Sequence, residues 1–277
     1  MNIAQHIAQQ LQPLYPPSEA QAIAYAIVEH LTGWDRVALF TYPDRQPSDT
    51  QRTLLDEAVK RLQQAEPIQY IIGTTTFCGL TFRTDARALI PRPETAELVA
   101  WCLEHPGNEI LDIGTGSGCI AIALAKQRTE AHVTAFDIQP EALELARENT
   151  ILNNVSVRLM LQDILHPTWQ PDTQFDIIVS NPPYITAKEK TLMHRNVVDH
   201  EPHTALFVTN EQPLIFYDAI ADYASKHLKT TGKLFFEINQ YYPTETKQLL
   251  EHKGFSNVTV RNDAFDNPRM IAAEKRF

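Results

Sequence analysis

The sequence predicts an α/β fold: an open, mostly parallel sheet behind a small all-helical bundle, the two joined by a β-hairpin. Three observations carry this. Up to about residue 65, apolar side chains recur only at helical spacing. From residue 68 to 92, aromatics and glycines alternate as in a hairpin. Beyond residue 108, short apolar runs alternate with helical stretches, the pattern of strands with crossover helices. The expected boundaries are a bundle over 1–67, a hairpin linker over 68–92 and an α/β domain over 93–277.

In the bundle, Ile3, Ile7, Leu11 and Leu14 share a helical face that Pro16-Pro17 ends. Ser18 with Gln21 has the spacing of a capping box for a second helix, with Ile23, Ala26, Ile27 and Leu31 inward and Gly33 closing it. A short helix is expected over 37–40. Ser48 with Gln51 opens another, with Leu54, Leu55, Ala58, Val59 and Leu62 inward and Pro67 beyond its end. The hairpin is expected to run through Tyr70-Ile71-Ile72, Gly73, Phe77, Gly79 and Phe82, with Phe77 and Phe82 in its core. Pro93 suits the first turn of the helix that follows. Strands are then expected at 109–113, 133–136, 155–161, 175–180, 233–238, 258–261 and 270–273, with helices from Gly118, from Pro140, over 214–228 and over 244–253.

At 277 residues, 43% hydrophobic and 21% charged, the composition is that of an ordinary soluble globular chain. A formal charge of −10 argues against a broad grip on nucleic acid, and residues 1–75 hold five Lys/Arg against eight Asp/Glu. Cys78, Cys102 and Cys119 are scattered and odd in number, which suits a reducing compartment rather than a disulfide frame. The first basic residue is Arg36, so no secretory signal is expected, and no apolar run approaches the ~18 residues that span a bilayer. A cytoplasmic location follows as the expectation. His194, His200 and His203 lie near Asp199 and Glu201, but their spacing fits no closed metal motif, so no metal is expected.

The first sheet strand leads directly into Asp112-Ile113-Gly114-Thr115-Gly116-Ser117-Gly118. Glycines there let the backbone bend and approach a ligand closely. A dinucleotide fingerprint would place its third glycine where Cys119 stands, and Thr115 excludes a serine-hydrolase elbow around Ser117. The acid followed by alternating glycines resembles the nucleoside-methionine loop of class I methyltransferases. Asp137, ending the second strand, suits a pair of ribose hydroxyls, as it would in a dehydrogenase. Asp163, after the third strand, would meet an adenine amino group or merely cap its loop, with Ile164 packing beside the ring.

The fourth strand runs into Asn181-Pro182-Pro183-Tyr184. Two prolines fix φ and restrict the residues before them, giving a rigid loop. An amide or aromatic amino nitrogen is a poor nucleophile because its lone pair is delocalised. Acceptors on its N–H bonds would hold it with the developing lone pair aimed at a methyl carbon. The Asn181 side-chain oxygen and the Pro182 carbonyl are candidates for that work, and Tyr184 offers a flat face to a planar group or a sulfonium.

Asn-Pro-Pro-Tyr at this place resembles the motif of methyltransferases that act on adenine, cytosine or glutamine amide. The wider chain resembles the release factor glutamine methyltransferase family, through 66–73, Phe77-Cys78-Gly79-Leu80, Leu89-Ile90-Pro91-Arg92-Pro93-Glu94-Thr95, 110–125 and Glu201-Pro202 with Ala205-Leu206. The resemblance implies an N-terminal helical bundle, a hairpin linker and a seven-stranded class I methyltransferase sheet, and the bundle is expected to recognise the substrate. It implies S-adenosyl-L-methionine as cofactor, held by Gly114, Thr115, Gly116, Ser117, Gly118, Asp137 and Asn181. It implies a substrate glutamine in the Gly-Gly-Gln loop of class 1 peptide chain release factors, held by Asn181, Pro182, Pro183 and Tyr184. Ile164 stands where some members carry a tryptophan, which leaves a weaker ring contact. A monomer is expected. The rival readings are a nucleic-acid amino-methyltransferase and a silent binding protein that retains the fold.

Overall fold

The computed structural model of the chain describes residues 2–276, the side chain of residue 192 excepted. Residues up to Gly73 form one compact unit with His194–His200, and Thr74–Met193 form a second with the residues from Glu201 onward.

The helical unit contains α1 (Ile3–Leu11), α2 (Pro17–Thr32), α3 (Arg36–Thr41), α4 (Asp49–Gln63) and α5 (Ile68–Ile72). The capping box at Ser48 and Gln51 forms as expected. The one expected at Ser18 and Gln21 does not: α2 already begins at Pro17, whose fixed φ suits a first turn, so Ser18 lies inside the helix. Leu14 falls past the end of α1 and Leu54 points outward; both are exposed. The expected strand through Tyr70-Ile71-Ile72 is the helix α5 instead. Its Ile68, Ile71 and Ile72 pack on the apolar core of α1, α2 and α4, and Gly73 ends it at φ 77°. Packing three partly buried isoleucines against that core, with Tyr70 buried, outweighed their β propensity.

In the second unit, β1 (Thr74–Phe77) and β2 (Leu80–Arg83) make a hairpin whose turn residues Cys78 and Gly79 both have positive φ. Phe77 and Phe82 are buried edge to face, with centroids 5.9 Å apart. Then follow α6 (Pro93–Glu104), β3 (Glu109–Ile113), α7 (Cys119–Gln127), β4 (His132–Asp137), α8 (Pro140–Asn153), β5 (Arg158–Leu161) and β6 (Phe175–Ser180). A long loop carries the short parallel pair β7 (Ile185–Thr186) and β8 (Phe207–Val208); α9 (Arg195–His200), between them in sequence, belongs to the helical unit. The chain closes with α10 (Ile215–His227), β9 (Leu228–Glu237), α11 (Pro243–His252), β10 (Phe255–Asn262) and β11 (Pro268–Lys275).

Seven strands form the sheet in the order β10-β11-β9-β6-β3-β4-β5, all parallel except β11. Adjacent strand residues divide between its faces. Ile110, Ile177 and Phe235 join the core under α6 and α7, while Leu111, Ile178 and Phe236 join the core under α10 and α11. Both faces are covered, so these strands read as continuous apolar runs. The chain leaves β3 toward β4 and β5, then returns to its other side with β6. That reversal opens a crevice at the carboxyl ends of the strands.

Candidate functional site

A cavity of about 880 Å³ occupies this crevice. Its lining includes Gly114, Thr115, Gly116 and Ser117 after β3, Asp137 at the end of β4, Asp163 and Ile164 after β5, and Asn181, Pro182 and Pro183 after β6. Gly118 and Tyr184, expected with these groups, are not in the lining. Gly118 instead caps α7 at φ 83°, where a Cβ would stand 3.0 Å from Ile122 Cδ1 and 3.2 Å from Ala146 Cβ. It lets α7 and α8 approach closely.

Backbone hydrogen bonds fix the glycine loop. Gly114 and Thr115 N–H both donate to Phe136 O, at 2.9 and 3.0 Å. Gly114 and Gly116 have φ of 72° and 55°, a region that ordinary side chains rarely adopt. Asp137 Oδ2 accepts from Gly116 N–H at 2.9 Å and Oδ1 from Gln139 N–H at 3.0 Å, which orients the carboxylate and leaves each oxygen further acceptor capacity. Burial raises its pKa. Beneath the loop, Asp112 Oδ2 accepts from Thr115 Oγ1 at 2.6 Å and Ala121 N–H at 3.2 Å, while Asp112 Oδ1 is buried without a hydrogen-bond partner among the described residues. Burial pushes the Asp112 carboxyl up to about 7. Asp163 Oδ1 accepts from Leu165 N–H at 2.8 Å, so Asp163 caps its own loop while also facing the cavity. Ile164 is buried between the cavity and the α10 core.

On the other side of the cavity, Asn181 Nδ2 donates to Thr95 Oγ1 at 3.3 Å, and Thr95 Oγ1 donates to Glu237 Oε2 at 2.5 Å. Tyr184 OH donates to Glu237 Oε1 at 3.0 Å, and the Tyr184 ring packs with the apolar core on that face. The Tyr184 carbonyl accepts from Asn239 Nδ2 at 2.9 Å.

Sequence reasoning assigned no part to several groups that shape the site. Residues 85–92, Pro202, Phe207 and Phe216 line the cavity, and Glu201, almost wholly buried, pairs with Arg92 at 2.5 Å. These stretches carry no chemical pattern of their own. Glu237 was not singled out either, although a lone acid within Leu-Phe-Phe-Glu-Ile at a strand end is a signal that could have found it. The histidine cluster separates: His200 Nε2 lies 2.9 Å from Gln64 O, whereas the His203 ring packs on Phe207. Among the described residues, no group of three or more His, Cys, Asp or Glu is arranged to hold a metal, and no helix is long and apolar enough to cross a membrane.

Comparison with known proteins adds names to this geometry. A family model described as the PrmC N-terminal domain matches residues 2–73, and one described as the methyltransferase small domain matches 94–204. The release factor glutamine methyltransferase of Flavobacterium psychrophilum is 41% identical over 282 residues, covering 99% of each chain. That of Bacteroides thetaiotaomicron is 44% identical over 275 residues, again covering 99% of each. Among solved structures, a Pyrococcus furiosus methyltransferase superposes with a TM-score of 0.55 at 21% identity, covering 72% of this chain and 90% of that one. A Thermus thermophilus 16S rRNA methyltransferase, solved with S-adenosylmethionine and guanosine, gives 0.53 at 20% identity, covering 73% and 50%. Likeness at that identity concerns the fold.

Proposed function

Because this chain belongs to the release factor glutamine methyltransferase family and is thereby an S-adenosylmethionine-dependent methyltransferase, we propose that it methylates N5 of the glutamine in the Gly-Gly-Gln motif of class 1 peptide chain release factors. One observation carries this: the glycine loop, Asp137 and Asn181-Pro182-Pro183 all line one cavity, which brings a nucleoside site and an amide site within reach of each other.

The residues fit the cofactor. Positive-φ glycines give a close backbone approach, a Cβ on Gly114 would meet only open space, and Asp137 is an oriented acceptor suited to ribose hydroxyls. S-adenosylmethionine, when bound, supplies a methyl group on a sulfonium. Everything else falls to the chain. Gly114, Thr115, Gly116 and Ser117 would cradle the methionine end, Asp137 would hold the ribose, and Asp163 and Ile164 would meet the base. Asn181 Oδ1 and the Pro182 carbonyl accept from the substrate amide N–H bonds, which turns the nitrogen lone pair toward the methyl carbon. No strong base is needed, because the nitrogen becomes acidic as it is methylated. Tyr184 supports the loop from the core side through Glu237.

One glutamine side chain carries too little information to select a protein, so the helical unit supplies a second grip on the release factor. The same proposal makes the enzyme a cytoplasmic monomer with no direct nucleic-acid ligand, and the charge of −10 supports the last of these. The test is incubation with methyl-labelled cofactor and a purified class 1 release factor. Mass spectrometry should locate one added methyl on the glutamine. Labelling of DNA or RNA with no labelling of a release factor would overturn the substrate.

A further inference from the structure

An asparagine amide can present either its oxygen or its NH₂ to a ligand, since a half-turn of χ2 exchanges them. The two faces are opposite in chemistry. Oxygen toward the cavity accepts from a substrate N–H; NH₂ toward the cavity repels it. Asn181 therefore needs something to fix its orientation, and its own loop does not do so.

The proton inventory of its neighbours decides the matter. Ionised Glu237 has only acceptors. Its Oε2 takes the single hydroxyl proton of Thr95 at 2.5 Å, so Thr95 Oγ1 can meet Asn181 only with a lone pair. The group that lies against that lone pair, at 3.3 Å, is Asn181 Nδ2. Turning Asn181 over would set Oδ1 against the same lone pair, oxygen against oxygen. Meanwhile Glu237 Oε1 takes the Tyr184 hydroxyl, so one carboxylate holds both ends of the Asn181–Tyr184 turn.

We propose that Glu237 and Thr95 are positioning residues that lock the Asn181 amide with its oxygen toward the substrate, making the site select an NH₂ donor. This rests on the reading that Asn181 holds the substrate amide.

The lock works only while Glu237 is ionised. Its carboxylate is buried, which raises its pKa. Thr95, Tyr184 and Arg269 favour the ionised form, and Glu94 opposes it; the Tyr217 hydroxyl donates to the Glu237 backbone carbonyl at 3.2 Å. A protonated Glu237 can donate to Thr95, which frees the Thr95 hydroxyl to donate in turn and removes the preference for Asn181 Nδ2. Turnover should accordingly fall as pH drops through the raised pKa of Glu237.

The test uses the full chain with a purified release factor. Thr95→Val keeps the side-chain shape and removes the hydroxyl; it should lower kcat at least about tenfold, and Thr95→Ser should restore it. In an Asn181→Ala background, Thr95→Val should cost nothing further, because Thr95 acts through Asn181. Glu237→Gln still accepts from Thr95 but does not titrate, so its kcat should lose the acid limb seen in the parent. Full kcat for Thr95→Val beside an impaired Asn181→Ala would overturn the lock and leave the substrate reading standing. So would an additive loss in the double variant, or an unchanged acid limb in Glu237→Gln. Normal turnover by Asn181→Ala would instead sink the reading on which the lock depends.

Discussion

Two carboxylates under the glycine loop differ in what their burial implies. Asp137 faces the cavity with spare acceptor capacity, and Asp137→Ala should weaken S-adenosylmethionine binding by roughly 1.5–3 kcal/mol per charged hydrogen bond lost. Calorimetry showing undiminished binding would take Asp137 out of the site. Asp112 is buried beneath the loop with one oxygen unpartnered and its carboxyl pushed up to about 7. A raised acid stabilises the fold fully below its unfolded value near 3.8, and that contribution is lost as pH rises through about 7. Asp112→Asn, which does not titrate, should thus gain on the parent between pH 4 and 8, by on the order of 2–4 kcal/mol. Urea denaturation at several pH values measures the difference, and a flat difference would mean that Asp112 does not titrate there. Asn181 and Asp137 were legible in the sequence because each sits at a strand end beside backbone punctuation, two prolines in one case and the glycine loop's partner strand in the other. Thr95 was not, because a threonine in the first turn of a helix has a bland reading, and its partner Glu237 lies 142 residues away.

Strands β3 and β6 begin and end where their apolar runs do, but β5 starts only at Arg158, after Asn154 in a left-handed conformation ends α8. Periodicity located the central elements well because burial on both faces leaves no polar interruptions. It failed at α5, where a run of isoleucines satisfies a strand and a buried short helix equally, and only the neighbouring bundle decides. The same dependence on neighbours shows at glycines. Gly79 and Gly118 share a positive φ, yet a Cβ on Gly79 meets nothing within 4 Å, whereas one on Gly118 meets Ile122 and Ala146. Gly79→Ala should cost only the backbone strain of about 1–2 kcal/mol. Gly118→Ala should cost more, since α7 and α8 must also separate. Thermal melts of the two variants would decide, and equal losses would show that the packing between those helices yields freely.

The division into two units changes how the role of the helices should be tested. A cut near Glu66 would split α5 from the unit to which it belongs, so the chain should begin at Thr74. That shortened chain should still bind S-adenosylmethionine and should methylate an intact release factor far more slowly, while losing little of its activity on a short Gly-Gly-Gln peptide. Equal slowing on both substrates would make the helices a stabilising element rather than a second grip. The return of His194–His200 to the helical unit also sets an order of events during synthesis. His200 meets the carbonyl of Gln64 across 136 residues of chain. A ribosome releases the first five helices early, and they can begin to collapse at once. Their last native neighbour, however, leaves the exit tunnel only after four strands of the sheet have been made. Of the two units, the helical one can thus start folding first, yet it cannot finish until most of the catalytic sheet has been translated.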